Sequence, residues 1–453
     1  MLLETIADYA VKEQTAKLPK EVIHHAKRAV VDWHASLLPG SRIAPATLLE
    51  QALADELDHG RARLASGRRA TMRAAALING AASHAVEFDD IWRDAVYHPG
   101  SPVISAALAS AQAQGASGER FLRGVIVGYE VSTRIGDAVM PSHYKFWHTT
   151  GTVGTFGAAA AVATLLGCSR EQFVHALGNA GTFAAGLQQA FRSEAMAKPL
   201  HGGNAAEGGA LAALAAARGV TGVADILEGE VGFGAAMSVN PDWSRATRGL
   251  GSDYHITRIT FKNHGCCGHN FAALDAVLAL MREHGFTHRD VRKVRIATYK
   301  GGLDIVDNPR PEGDYQARFS IQYTVAHALV HGSVRLNAFA PERLGDPDVR
   351  ALMQKIECVA DAELSRSFPR QRAARVEIEL ADGRRLAHFQ ATRKGDPEMP
   401  LTDAELNDKY LELAAPVIGD PAARALLERL WRLEKEQNVD LEHGARAPAR
   451  AFS

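Results

Sequence analysis

Cysteine is scarce in this 453-residue chain. Four occur, Cys168, Cys266, Cys267 and Cys358, and two of them are adjacent, which is poor material for a disulfide framework and points to a reducing compartment. Charge of one sign is not in excess either, with 51 Lys and Arg against 52 Asp and Glu. A polyanion-binding face would have to be local, and no basic block with interleaved aromatics supplies one, so nucleic acid is not an expected partner. Long apolar runs are missing as well: AAAAVATLLG is short for a membrane span and is soon followed by Arg170 and Glu171. The opening MLLETIADYAVKEQTAKLPKEV mixes acids and lysines from its first turns and does not read as a secretory signal. The expectation is a soluble, cytoplasmic protein with no membrane partner. Neither an internal repeat nor a low-complexity linker occurs.

What is present is helical periodicity, then a change of period. At roughly 100–200 residues per domain, the length predicts two or three domains. Up to about Leu250, segments such as VIHHAKRAVVDWHASLL, RAAALINGAASHAVEF, SPVISAALASAQAQ, GERFLRGVIVGYEVSTRIGDAV and GTFGAAAAVATLLG recur at helical spacing. From about Ser252 the pattern alternates: YHITRITFK, VRKVRIATY and RVEIELADGRRLAHFQATR predict strands, the last with Asp-Gly at a hairpin tip. ALDAVLALMREHG and SIQYTVAHALVHG predict helices between them. After Pro400 helical text returns in LTDAELNDKYLELAAPVIG and AARALLERLWRLEKEQ, and HGARAPARAFS reads as a frayed tail.

Four stretches carry candidate chemistry. In AKPLHGGNAAEGGALAALAAARG, Asn204 with Glu207 three residues on predicts an N-cap, a helix from near Ala205 to the Gly219 stop, and free amides beside Gly202 and Gly203. Lys198 and His201 would stand at that mouth and suit a carboxylate; a capped helix with solvated cations is the plain alternative. In HAVEFDDIWRDAVYHPGSP, Glu87, Asp89 and Asp90 precede His98, and acids beside a histidine orient its ring and raise its basicity, although such acids also cap helices and form surface ion pairs. In YKFWHTTGTVGTFGAAA, His148 with Thr149 and Thr150 precedes a glycine-rich helix start, where the threonines either bind carboxylate oxygens or cap the helix. In FKNHGCCGHNFAALDA, the spacing of His264, Cys266, Cys267 and His269 matches no zinc pattern, so a ligand loop carrying Lys262 is the better description.

Taken in order, ALINGAASHAVEFDD, HPGSPVISAALA, HTTGTVGTFGAAAAVATLLG, KPLHGGNAAEGGALAALAAARGVTGVADILEGEVGF, FK with CC and LDA, and ARFSIQYTVAHAL resemble the MmgE/PrpD family, which includes 2-methylcitrate dehydratase and cis-aconitate decarboxylase. The resemblance implies a mainly α protein. A large all-helical domain, residues 1–251 and 400–453, would be built from both ends of the chain, with a smaller α+β lid domain, 252–399, inserted between them. It further implies a homodimer, and a lyase or isomerase that works on small di- or tricarboxylates with no metal or other cofactor. Candidate catalytic residues are then His98, His148, Lys198, His269 and Glu87. Candidate substrate contacts are Thr150, His201, Gly202, Asn204, Lys262, His264 and Asp90. Three departures accompany this likeness. Glu87 stands where the family has an aspartate, Ile91 where it has a threonine with one extra residue before His98, and Phe271 where it has a histidine, with His269 displaced by two. Epimerisation of a small amino or imino dicarboxylate and non-catalytic carboxylate binding remain the alternatives to dehydration or decarboxylation.

Overall fold

The structure, a computed structural model, describes residues 1–191 and 195–441. The tail HGARAPARAFS lies outside the described residues. Two compact units are formed, Met1–Phe261 with Thr402–Ser453, and Lys262–Leu401.

The first unit is built around the helix Thr149–Leu166. By length and composition this helix is apolar enough to cross a membrane, which the shorter run read from the sequence did not anticipate. It is a core helix here, 94% of it buried, with helices Gly100–Gln114, Gly118–Val139, Arg170–Phe183 and Ala197–Ala217 packed on it. Small residues make that density possible. A Cβ on Gly128 would lie 2.8 Å from the carbonyl oxygen of Gly157, so the two backbones meet with no room for a side chain.

The helices predicted before Leu250 are all present, with Lys20–Gly40 and Met72–Ala85 completing the set. Two expectations need correcting. The unit is not all-helical, because β1 (Leu57–Arg63) pairs antiparallel with β2 (Arg69–Ala70). These short strands are mostly exposed, so they carry no apolar alternation to read. Nor is YHITRITFK a strand: His255–Arg258 form a 3-10 turn, and Thr260 makes one isolated bridge to Ile91. Its alternating Tyr254, Ile256, Ile259 and Phe261 are buried in the first unit. No neighbouring strand is needed there, since the Ile256 amide donates to Glu130 Oε1 at 3.0 Å and the Thr133 hydroxyl lies 3.0 Å from His255 Nδ1. The segment therefore belongs to the first unit, which ends at Phe261 rather than at residue 251.

The chain returns to this unit through helices Asp403–Ile418 and Asp420–Leu430. Thr402 and Glu405 form a capping box at the start of the first. That helix packs on Lys20–Gly40 and brings Lys409 into the interior, where Nζ lies 2.6 Å from Asp32 Oδ1 and 2.8 Å from the Phe88 carbonyl.

The second unit holds a four-stranded sheet in the order β4-β3-β5-β6, with β3 Val291–Thr298, β4 Ile356–Ala360, β5 Ala374–Leu380 and β6 Arg385–Gln390. The β3/β4 pair is parallel and the other two are antiparallel. At the β5–β6 turn Gly383 takes φ +88°, which suits the Asp-Gly tip. Helices Phe271–His284 and Ile321–His331 bury one face over Val294, Ile296, Val376 and Ile378. The opposite face carries ion pairs such as Arg295–Glu377. All four cysteines are free thiols.

Candidate active site

The site of the first unit begins where helix Met72–Ala85 stops. Thr71 caps its start by accepting from the Ala74 amide at 3.2 Å, and after Val86 the backbone turns left-handed at Glu87, φ +58°. A non-glycine residue there costs about 1–2 kcal/mol, which the surroundings must hold in place. They do so residue by residue. Glu87 Oε1 accepts from Lys198 Nζ, the Phe88 carbonyl from Lys409, and Asp89 Oδ2 lies 2.7 Å from His84 Nδ1. Asp90 accepts from the Gly100 amide at 2.9 Å and from the Tyr129 hydroxyl at 2.8 Å. This last residue was expected to touch substrate; both its oxygens instead tie the loop to two helices. Burial, reinforced by the charges of Asp32 and Asp89, pushes the Asp90 carboxyl well above its usual range.

The following loop is closed on itself. Trp92 and Tyr97 form an antiparallel bridge around the turn Arg93–Ala95, and Val96 sits at φ +49°. Beyond this closed turn the His98 amide donates to Thr150 Oγ1 at 3.2 Å. Thr150 was expected either to bind substrate or to cap its helix, yet His148 is the N-cap residue and the Thr150 hydroxyl anchors the backbone of His98.

The stretch with Lys198 folds differently from expectation. The helix spans Ala197–Ala217 with Met196 as N-cap, so Lys198 lies in its first turn, His201 is inside it, and Asn204 is an exposed interior residue rather than a cap. Glu207, the expected capping partner, pairs with Arg73 at 2.5 Å. Neither Gly202 nor Gly203 opens the backbone to a ligand. A Cβ on Gly202 would collide with Ser101 Oγ and one on Gly203 with the Leu77 carbonyl, so both let helices pack closely. The capping pattern misled because local spacing cannot register the small-residue contact that extends the helix by two turns.

Lys198 is 5% and Glu87 7% exposed, so this is a buried ion pair. A chain of four imidazoles runs from it, with His148 and His201 nearest Lys198. His148 Nδ1 and His201 Nδ1 are 3.0 Å apart, and the His84 ring stacks on His148 with centroids 5.6 Å apart and lies 4.8 Å from that of His98. Phe191 meets His148 edge-on at 4.8 Å and carries Lys198 Nζ 5.5 Å above its ring centre. Burial, helped by His84 and Lys198, pushes His148 well below its ordinary value and His201 down to about 4. Both are neutral at pH 7, so either nitrogen of the 3.0 Å pair donates while the other accepts.

His84 is the residue that the sequence reading did not assign. It closes the predicted helix as part of ASHAVEF, and nothing in the spacing distinguished it from a core histidine. His84, Asp89 and His98 have donor atoms within 4.8 Å of one another, a set that a divalent ion could collect. As they stand, His84 Nδ1 and Asp89 Oδ2 at 2.7 Å are in hydrogen-bond contact. Two ligands of one tetrahedral zinc, each about 2.0–2.1 Å from it, lie farther apart than that. The geometry is that of a hydrogen-bonded pair.

Lys262, His264 and His269 belong to the second unit. His264 Nε2 lies 3.0 Å from Asp275 Oδ1, and His269 Nδ1 lies 2.6 Å from the Tyr299 hydroxyl. Burial, with Arg372 and Arg393 nearby, pushes His269 down to about 3. Phe271 is wholly buried in this unit's core as the first residue of its helix. The two histidines have separate partners and do not form a shared donor set.

These shifts bear on stability. For a histidine held neutral in the fold, the unfolded chain takes up the proton first, so its stabilisation is complete above about pH 6.5 and is lost as pH falls toward the lowered value. His143, His201 and His327, each at about 4, His255 at about 2, His269 at about 3, and His148 all act in this sense. Asp137 at about 7, Glu130 at about 6 and Asp90 act in the opposite sense, since burial raises their values. The histidines outnumber them. Unfolding free energy, read from urea melts, is expected to fall by at least about 1 kcal/mol from pH 6.5 to pH 5, each unbalanced histidine contributing up to about 1.4 kcal/mol per pH unit. A flat or rising profile would contradict the neutral assignments.

With this geometry in place, similarity to known proteins decides the family. Residues 4–246 match the MmgE/PrpD N-terminal domain and residues 264–433 the MmgE/PrpD C-terminal domain. The chain belongs to the MmgE/PrpD family. The C-terminal match runs past Leu401 into the two returning helices of the first unit. A cis-aconitate decarboxylase-like protein, oryM, of Aspergillus oryzae is 29% identical over 95% of this chain and 92% of its own length. Human cis-aconitate decarboxylase is 28% identical over 80% of this chain and 76% of its own. The mitochondrial 2-methylcitrate dehydratase of Yarrowia lipolytica is 28% identical over 66% and 61%. Decarboxylases and dehydratases of this kind are lyases, and the chain is an enzyme of that class.

Proposed function

We propose that the enzyme acts on a small tricarboxylate, or a closely related dicarboxylate, through a carbanion formed beside a carboxylate, with loss of water or carbon dioxide. The observation that carries this reading is a buried ammonium, Lys198, beside His148 and His201, with the rings of His84 and His98 next in line. Lys198 is the fixed cation for a substrate carboxylate, which competes with Glu87 for it. Charge developing on that carboxylate as the carbon loses its proton or its carbon dioxide is stabilised by the same ammonium in a water-poor setting. In dehydration, a neutral imidazole takes the proton beside the carboxylate and an imidazolium gives one to the departing β-hydroxyl. In decarboxylation, carbon dioxide leaves with the bond pair remaining on carbon, and an imidazolium protonates that carbon. His98 and His148 are the groups assigned to these transfers.

Ile91, apolar and buried, and Phe271, enclosed in the second unit's core, each replace a polar group that the family likeness calls for, which favours epimerisation as a second reading. Incubation in deuterated water with cis-aconitate, 2-methylcitrate and aspartate-type acids, followed by NMR, separates the two. Loss of water or carbon dioxide supports the lyase. Deuterium exchange without either supports the epimerase. No reaction with any of these acids counts against both.

A further inference from the structure

We infer that Asp89 and His84 act together as a positioning pair for His98, one carboxylate oxygen being shared between two imidazoles. Asp89 is 1% exposed, and its Oδ2 lies 2.7 Å from His84 Nδ1 and 3.3 Å from His98 Nδ1. An ionised carboxylate only accepts, so His84 meets it with Nδ1–H, while His98 Nδ1 faces the same oxygen at 3.3 Å as a longer charge contact rather than a full hydrogen bond. On either ring Nε2 is then the nitrogen that gains or loses the proton. His84 is fully buried, and among the described residues its Nε2 has no hydrogen-bond partner. Its one polar tie within hydrogen-bond distance is therefore to Asp89. The shorter contact belongs to His84 and the longer one to His98. The two rings compete for the same negative charge, and the portion left to His98 sets how basic its Nε2 is.

The inference rests on His98 as the acid–base group of the proposed reaction, so its test reads the imidazole directly. Besides Asp89 and His84, His148 interacts electrostatically with His98, and Lys198 and His201 act in turn on His148; none of these three is altered by the two variants that follow. The full chain, labelled with 15N and 13C at histidine, is titrated by NMR, with the His98 signals assigned by their loss in His98→Gln. In the unaltered protein the nitrogen shifts are expected to report His98 and His84 in the Nδ1–H form. Asp89→Asn removes the charge that favours the imidazolium, and the His98 midpoint is expected to drop by about one pH unit or more. His84→Phe keeps an aromatic ring in the stack but deletes the competing donor, and the midpoint is expected to rise.

Opposite shifts are the signature of a shared carboxylate, because a purely structural role would move both variants the same way or not at all. Shifts of one sign, or an Nε2–H form for His98 in the unaltered protein, would overturn the pair. If Asp89→Asn does not fold, the tautomer and the His84→Phe shift still decide it. A protein that shows both shifts yet processes none of the acids tested would sink the proposed reaction and leave the pair standing.

Discussion

Lys198→Ala is expected to lower turnover of the acid that this enzyme accepts by about 10²–10³-fold, the usual effect of deleting one preorganised electrostatic group. The same change is expected to cost about 3–5 kcal/mol of stability, because it leaves Glu87 buried without its cation. These two losses have different causes and separate cleanly. In Lys198→Met/Glu87→Gln no uncompensated charge remains, so urea midpoints should return close to those of the unaltered protein while turnover stays low. Steady-state rates and urea melts on the single and double variants check both parts. Undiminished turnover in the double variant would remove Lys198 from the mechanism. A double variant as unstable as the single one would show that the loss comes from packing around the lysine stem.

Lys409→Met is expected to be the most destabilising single change away from the site, again by about 3–5 kcal/mol. Lys409 and Asp32 are both wholly buried, 2.6 Å apart, and join a helix from the end of the chain to one near its start. The same ammonium also bonds to the Phe88 carbonyl, next to the left-handed Glu87. Losing it frees the segment that aims Glu87 at Lys198, so turnover should fall in the variant even where the fold survives at low temperature. Asp32→Asn/Lys409→Met should recover most of the stability but not the Phe88 bond. Unfolding free energy within about 0.5 kcal/mol of the unaltered protein for Lys409→Met would refute the tie.

The parts of the site that were legible were those carried by residue type. His98, His148 and Lys198 stand out as polar groups directly before apolar or glycine-rich helical text, and the structure buries them in one unit. Illegible parts depended on contacts between distant segments. Asn204 reads as a cap until Gly202 and Gly203 are seen packed against Ser101 and Leu77, which keeps the chain helical through them. Asp90 reads as a candidate ligand group until the Gly100 amide and Tyr129 hydroxyl occupy it. His84 reads as one more core histidine until Asp89 turns back toward it across the left-handed step at Glu87.

By itself the sequence determined the helical character of both ends of the chain, the strands β3, β5 and β6 with their Asp-Gly turn, and the family, because periodicity and ordered motifs are local properties of the text. It did not determine YHITRITFK. Alternation there reflects burial against a helix, and the same pattern would serve a strand, so only the partner decides. Nor could it determine the charge state of the histidines. At mildly acidic pH the same imidazole is a cation in water but stays neutral where His148 lies, since the desolvation and neighbouring cations that shift it come from residues brought together by folding.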